Sequence, residues 1–124
     1  MAAPVSSATG LVRPSPDEAI AAIRRIAKAW ELDRHDAAAM LGLSGNDLGA
    51  VEWTDERLLR VAYLLDLEAA LLRLNPKGGI GRWLITANAG PFFAGNAPLQ
   101  MLTGSTREMA ELLQQVRRWG EGRR

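Results

Sequence analysis

The chain of 124 residues contains few side chains that act as nucleophiles, general bases or metal ligands. It has no Cys and a single His, His35, which stands beside Asp36 in a stretch without a nucleophile. A zinc site would have to combine His35 with carboxylates alone, which is an uncommon ligand set. The glycine-rich segment at 78–81 lacks the preceding strand and the following Gly-Lys-Ser/Thr of a phosphate-binding loop. We therefore expect no catalysis, no cofactor and no metal.

The basic side chains, by contrast, are concentrated toward one end of the chain. Residues 1–75 carry eight Lys or Arg and eleven Asp or Glu, a net charge of −3, whereas residues 76–124 carry seven and three, a net charge of +4. Trp and Arg contribute most to binding at protein interfaces. We interpret Trp119 and its neighbouring arginines as a candidate protein-binding surface: Arg117, Arg118, Arg123 and Arg124. The alternative is that Trp119 closes the core while the arginines compensate a helix dipole.

Composition predicts that helices position these residues. The chain has 20 Ala and 18 Leu but only five Val, five Ile and seven aromatic residues, a bias toward helix formers. We expect an all-α protein with a flexible arm over 1–15, a helix-turn-helix region with a long helix over 16–75, and small C-terminal helices over 76–124. No apolar run of about 18 residues and no secretory signal are present, so we expect a cytoplasmic protein without a membrane span.

Capping residues mark the N-terminal helices. Ser15 and Glu18 form a predicted capping box that begins a helix ending near 31–33. Asp33 then caps a short helix that ends at Gly42, and Ser44 caps a third helix over roughly 45–53.

The long helix predicted over 55–74 is apolar on more than one face. Such a helix is enclosed by other elements, so we interpret it as the central helix of a bundle. The alternative is that part of it meets a second subunit. Short helices are expected near 80–85 and 98–104, and the last helix is expected to begin at Ser105 or Thr106 and to stop at Gly120.

The spacing over 34–54 is typical of a helix-turn-helix, with Ala38 at the helix crossing and Gly42 in the turn. Its recognition helix, 45–52, contains two acidic residues and no basic one, which disfavours contact with phosphates. A DNA-binding regulator that represses its own promoter remains the alternative function. Its DNA contacts would come from Asn46 and from basic residues on flanking elements: Arg24, Arg25, Lys28, Arg34, Arg57 and Arg60.

The C-terminal segment over 83–113 carries an ordered set of motif residues. In chain order they are Trp83, Leu84, Asn88, Phe92, Phe93, Gly95, Pro98, Leu99, Leu102 and Gly104, and an amphipathic helix follows them. This order and spacing resemble the toxin-binding domain of the Xre/MbcA/ParS-type antitoxins. The family commonly has Pro-Asn where this chain has Ala87-Asn88. The upstream helix-turn-helix, Trp53 and the long helix extend the resemblance to roughly 17–120.

The resemblance implies a protein partner and no enzymatic activity. Antitoxins of this type pair with RES-domain toxins, which consume NAD or transfer its ADP-ribose, and they cover the entrance of the toxin's NAD site within a hetero-oligomer. We expect this chain to homodimerise in such a complex. In addition to Trp119 and the arginines, we assign toxin contacts to Asn88, Phe93, Asn96 and Leu113. The remaining motif residues are expected to shape the domain: Trp83, Leu84, Phe92, Gly95, Pro98, Leu99, Leu102 and Gly104.

Overall fold

A computed structural model of the chain describes residues 13–43, 48, 51–88 and 90–122. All regular secondary structure within these residues is helical, which confirms the predicted all-α class. None of the helices in this part of the chain is long and apolar enough to cross a lipid bilayer. The helices are α1 (Pro16–Ala29), α2 (Arg34–Met40), α3 (Asp55–Leu74), α4 (Ile80–Ile85), α5 (Leu99–Leu102) and α6 (Thr106–Gly122).

The capping box that begins α1 is present as predicted. The Ser15 amide donates to Glu18 Oε1 at 2.9 Å, and the Glu18 amide donates to Ser15 Oγ at 3.2 Å. The helix ends earlier than 31–33, because Glu31 adopts a left-handed conformation with φ of 59°. This conformation lets the amide of Leu32 return to the carbonyl of Ala27 at 2.8 Å, a helix stop that glycine usually provides.

Helix α2 also has the predicted boundaries. Asp33 accepts a hydrogen bond from the Asp36 amide at 2.8 Å, and Gly42 follows the helix with φ of 80°. Most of the predicted third helix, residues 44–47 and 49–50, lies outside the described residues. The prediction that it extends to Trp53 is wrong, because Val51, Glu52 and Trp53 are not helical and lead directly into the N-cap of α3.

The last helix, α6, begins with a second capping box. The Ser105 amide donates to Glu108 Oε1 at 2.8 Å, and the Glu108 amide donates to Ser105 Oγ at 3.1 Å. The predicted stop at Gly120 is wrong, since the helix continues to Gly122. A glycine ends a helix only where it adopts a positive φ, and Gly120 keeps the helical conformation.

Helix α3 lies between α1 and α6 and is the central helix of the fold. Its side chains at Val61, Leu64, Leu67 and Leu71 are fully buried. One apolar core includes residues from both predicted regions, 16–75 and 76–124. Leu72 is 66% exposed, so part of the apolar surface of α3 lies outside the core. The homodimer expected from the sequence stays a prediction.

Arg60 of α3 is buried to 3% exposure at the meeting point of three helices. Its Nε donates to the carbonyl of Met40 at 2.6 Å, and its Nη2 donates to the carbonyl of Leu102 at 3.0 Å. Both carbonyls close helices, α2 and α5, where the backbone lacks helical partners and carries partial negative charge. Nη1 donates to Thr106 Oγ1 at 3.1 Å, and that hydroxyl donates to Glu56 Oε2 at 2.7 Å.

The environment of Arg60 has two opposing electrostatic effects. Desolvation by burial lowers the pKa of Arg60, while the nearby charge of Glu56 raises it. The suggestion that Arg60 contacts DNA is therefore wrong, because its donors are satisfied inside the protein.

Substituting Met for Arg60 tests how much the fold depends on these hydrogen bonds. Arg60→Met retains the apolar part of the side chain but leaves buried carbonyls at Met40 and Leu102 without donors. We expect the free energy of unfolding to fall by about 2–4 kcal/mol in urea denaturation. Arg73→Met is the control, because Arg73 is an exposed residue of the same helix, and it should change stability by less than about 0.5 kcal/mol. Equal losses in the two variants would contradict this account.

Gly81 allows α4 to approach the end of α1 closely. A Cβ at Gly81 would collide with the backbone carbonyl of Trp30, which cannot move without displacing the end of α1. At Gly120, inside α6, a Cβ would meet nothing within 4 Å. The two glycines thus have opposite packing environments.

Alanine substitutions at these two positions should change stability in opposite directions. We expect Gly81→Ala to destabilise the fold by about 1–3 kcal/mol through overpacking. We expect Gly120→Ala to stabilise it by about 0.5–1 kcal/mol, because alanine favours the helix. Thermal and urea unfolding of both variants measure the difference, and a stabilised Gly81→Ala variant would refute the close approach.

Candidate functional site

Four aromatic residues from the predicted motif and from α6 form one cluster. Phe93 packs against Trp83 and Trp119, with ring centroids 5.9 Å apart in each case. Phe92 lies edge-on to Phe93 at 5.0 Å and to Trp119 at 6.1 Å. Edge-to-face pairs at such distances are favourable beyond the area that they bury. The aromatic cluster therefore fixes the loop between α4 and α5 against the C-terminal part of α6.

Asn88 holds this loop in a closed shape. Its backbone amide donates to the carbonyl of Asn96 at 3.1 Å, and its backbone carbonyl accepts from the amide of Gly95 at 2.9 Å. Its side-chain Oδ1 accepts from the amide of Gly90 at 2.8 Å. Gly95 has φ of 89°, a conformation that disfavours residues with a Cβ. Asn88 and Gly95 are therefore needed for the loop conformation itself.

An open groove of about 660 Å³, which we call the α6 groove, lies beside the aromatic cluster. Its lining residues come from three places in the sequence. They are residues 74–77 after α3, Trp83 and Asn88 of the motif segment, and Arg118 and Trp119 of α6. The fold thus brings four of the residues singled out from the sequence to a single surface.

The α6 groove is positively charged. Lys77 and Arg118 line it and are exposed, and among the described residues no acidic side chain lines it and neither cation forms an ion pair. Arg117, one position earlier, is engaged instead: its Nη2 lies 3.0 Å from Asp66 Oδ2 of α3. The two neighbouring arginines therefore have different environments: Arg117 pairs with Asp66 of α3, whereas Arg118 lines the groove.

A second groove, of about 810 Å³, lies along another face of α6. Arg73, Arg117 and Glu121 line it, and Arg117 is held by Asp66. Its described lining contains no residue of the motif segment. The α6 groove therefore remains the stronger candidate for a binding site.

Searches against protein-family models, curated proteins and solved structures found no match to this chain. The site must therefore be interpreted from its own geometry.

The structure divides the predicted contact residues into core and surface. Leu113 and Phe93 are 3% and 4% exposed, so the packing places both in the core and leaves them little surface for a partner. Asn96 is exposed on the loop, and Trp119 is half-buried between the aromatic cluster and the groove. Arg123 and Arg124 lie outside the described residues.

The residues expected to shape the domain range from buried to exposed. Leu84, Pro98 and Leu102 lie in the interior, Leu99 and Trp83 are half-buried, and Phe92 is 37% exposed. Gly104 adjoins the second capping box, since a Cβ there would collide with the carboxylate of Glu108.

The candidate DNA contacts are scattered over different environments. Arg24, Lys28 and Arg34 are exposed. Arg25 instead makes two hydrogen bonds of 2.8 Å to the carboxylate of Glu68, which raise its pKa and tie α1 to α3. Asn46 lies outside the described residues.

The sequence interpretation missed one wall of the groove. Lys77 belongs to the turn after α3, where the sequence pattern indicated only the end of a helix. Lys77 lies within the basic region over 76–124, which was the available signal. Within the residues that the structure describes, no group of three or more His, Asp or Glu side chains is arranged to hold a metal.

The hydrogen bond from Gly90 to the Asn88 side chain gives a prediction for the loop. Asn88→Ala removes that acceptor, and we expect a loss of about 1 kcal/mol in stability and faster amide exchange over residues 90–96. Asn96→Ala is the matched control, because the Asn96 side chain is exposed and its backbone bond to Asn88 is retained. Hydrogen exchange followed by NMR checks both variants; equal protection in the two would contradict the assigned role of Asn88.

Proposed function

We propose that this protein is an antitoxin that neutralises a RES-domain toxin by binding it and covering the entrance of its NAD site. The toxin is the enzyme of the pair, and the antitoxin contributes a binding surface. In this proposal the toxin contacts the C-terminal part of α6 and the α6 groove.

The observation that carries the proposal is the convergence of the antitoxin-like motif on one surface. Trp83 and Asn88, from the motif segment, line the same groove as Arg118 and Trp119. Leu84, Pro98 and Leu102, also of the motif, are buried in the fold and do not line the groove. Trp83 and Asn88 of this segment lie beside the cation of Arg118 and the ring of Trp119, and a mixed cationic and aromatic surface is suited to binding a protein.

The DNA-binding alternative receives less support from the same structure. Of its candidate contacts, Arg60 is buried and Arg25 is paired with Glu68. Affinity for DNA depends on several cations that reach phosphates, so each engaged arginine weakens the case. A shift of its promoter DNA by the purified protein alone, at physiological salt, would favour the alternative.

The test of the proposed function uses the full chain and a RES-domain protein encoded beside its gene. We expect the neighbour alone to stop growth and to deplete cellular NAD, and co-expression of this chain to restore both. The two proteins should also co-purify. Continued growth arrest in the presence of well-expressed, folded chain would refute the proposed function.

A single substitution at the groove tests where the toxin binds. Arg118→Ala removes a cation that makes no ion pair with the described residues, so the fold should be unaffected. We expect the toxin complex to weaken by about tenfold, the loss typical of a contact worth about 1.4 kcal/mol. Arg24→Ala, on the exposed side of α1, is the matched control and should change affinity by less than about twofold. Truncation of α6 is unsuitable, because α6 contributes Met109, Leu112 and Val116 to the core.

A further inference from the structure

The α6 groove combines two cations with an apolar surface. Lys77 and Arg118 provide the charge, and Leu74, Trp83 and Trp119 provide the apolar contacts. Carboxylates would pair with the cations, and an apolar side chain would pack on the indole rings.

The shape of the groove indicates a chain segment as its occupant. Its volume of about 660 Å³ is typical of ligand sites, but the groove is open to solvent, whereas small-molecule sites enclose most of their ligand. An extended segment gains affinity from several contacts along its length and does not require enclosure. Phe92 is partly exposed and touches Trp119, which lengthens the apolar surface beyond the groove.

We propose that the α6 groove binds an acidic segment of the partner protein, with carboxylates on Lys77 and Arg118 and an apolar side chain against Trp83 and Trp119. This inference rests on the proposed function for the identity of the partner, but the binding chemistry follows from the groove alone. A nucleic acid would need a longer series of cations than Lys77 and Arg118, the two that line the groove among the described residues.

The inference is tested with the isolated full chain and short synthetic peptides. The probe is the capped peptide Gly-Glu-Phe-Glu-Leu-Glu-Gly, and the comparison peptide has Lys in place of Glu. NMR follows the four tryptophan indole N–H signals during the titration. We expect the acidic peptide to shift the signals of Trp83 and Trp119 and to leave that of Trp30, which is 2% exposed, unchanged. The basic peptide should bind at least about tenfold more weakly.

Charge reversal at the groove provides a matched comparison. The double variant Lys77→Glu/Arg118→Glu should raise the dissociation constant of the acidic peptide at least about tenfold and should favour the basic peptide instead. The double variant Arg24→Glu/Lys28→Glu makes the same change in net charge on exposed residues of α1 and should alter binding less than about twofold. Similar effects of the two double variants would overturn the inference.

The remaining outcomes separate this inference from the proposed function. Binding of a thymidine oligonucleotide at Trp83 and Trp119, more tightly than the acidic peptide, would overturn the inference in favour of nucleic acid. Full neutralisation of the toxin by Lys77→Glu/Arg118→Glu would overturn the inference and the groove as the toxin's contact surface, and it would leave the neutralising function intact. Binding of the acidic peptide without any neutralisation of the toxin would support the inference and refute the proposed function.

Discussion

The buried guanidinium of Arg60 joins parts of the chain that no continuous stretch of sequence connects. A charge removed from water is costly unless its hydrogen bonds are replaced. Here the replacements are the terminal carbonyls of α2 and α5 and the hydroxyl of Thr106 at the start of α6. The carbonyls that end α2 and α5 would otherwise lie buried without this donor. Arg60 therefore ties α3 to the ends of α2 and α5 and to the start of α6.

Local chemistry in the sequence predicted the beginnings of the helices well. Ser15 and Asp33 each accept the capping hydrogen bond expected of them, and Thr54 and Ser105 do the same at the starts of α3 and α6. The ends were harder to predict, because a helix stops where a residue adopts a positive φ, and Glu31 does so without the glycine that usually signals it.

Long-range placement could not be obtained from the sequence. Arg60 stands among leucines in a helical pattern, and its partners at Leu102 and Thr106 are 42 and 46 positions away. In the candidate site, too, the sequence identified some residues and the fold was needed for another. Trp83, Asn88, Arg118 and Trp119 were identified by type and order, whereas Lys77 required the fold, because only the packing of α3 on α6 brings its turn to the groove.

Helix α6 contributes both to the core and to the groove. Its buried face completes the core against α3, and its outer residues form one side of the groove. Any ligand held there restrains a helix that packs directly on α3. A protein bound at 100 times its dissociation constant adds about 2.7 kcal/mol to the stability of the folded state. A partner at this groove would consequently lengthen the lifetime of the chain against proteases, which attack opened conformations, so that the amount of partner sets the abundance of its binder.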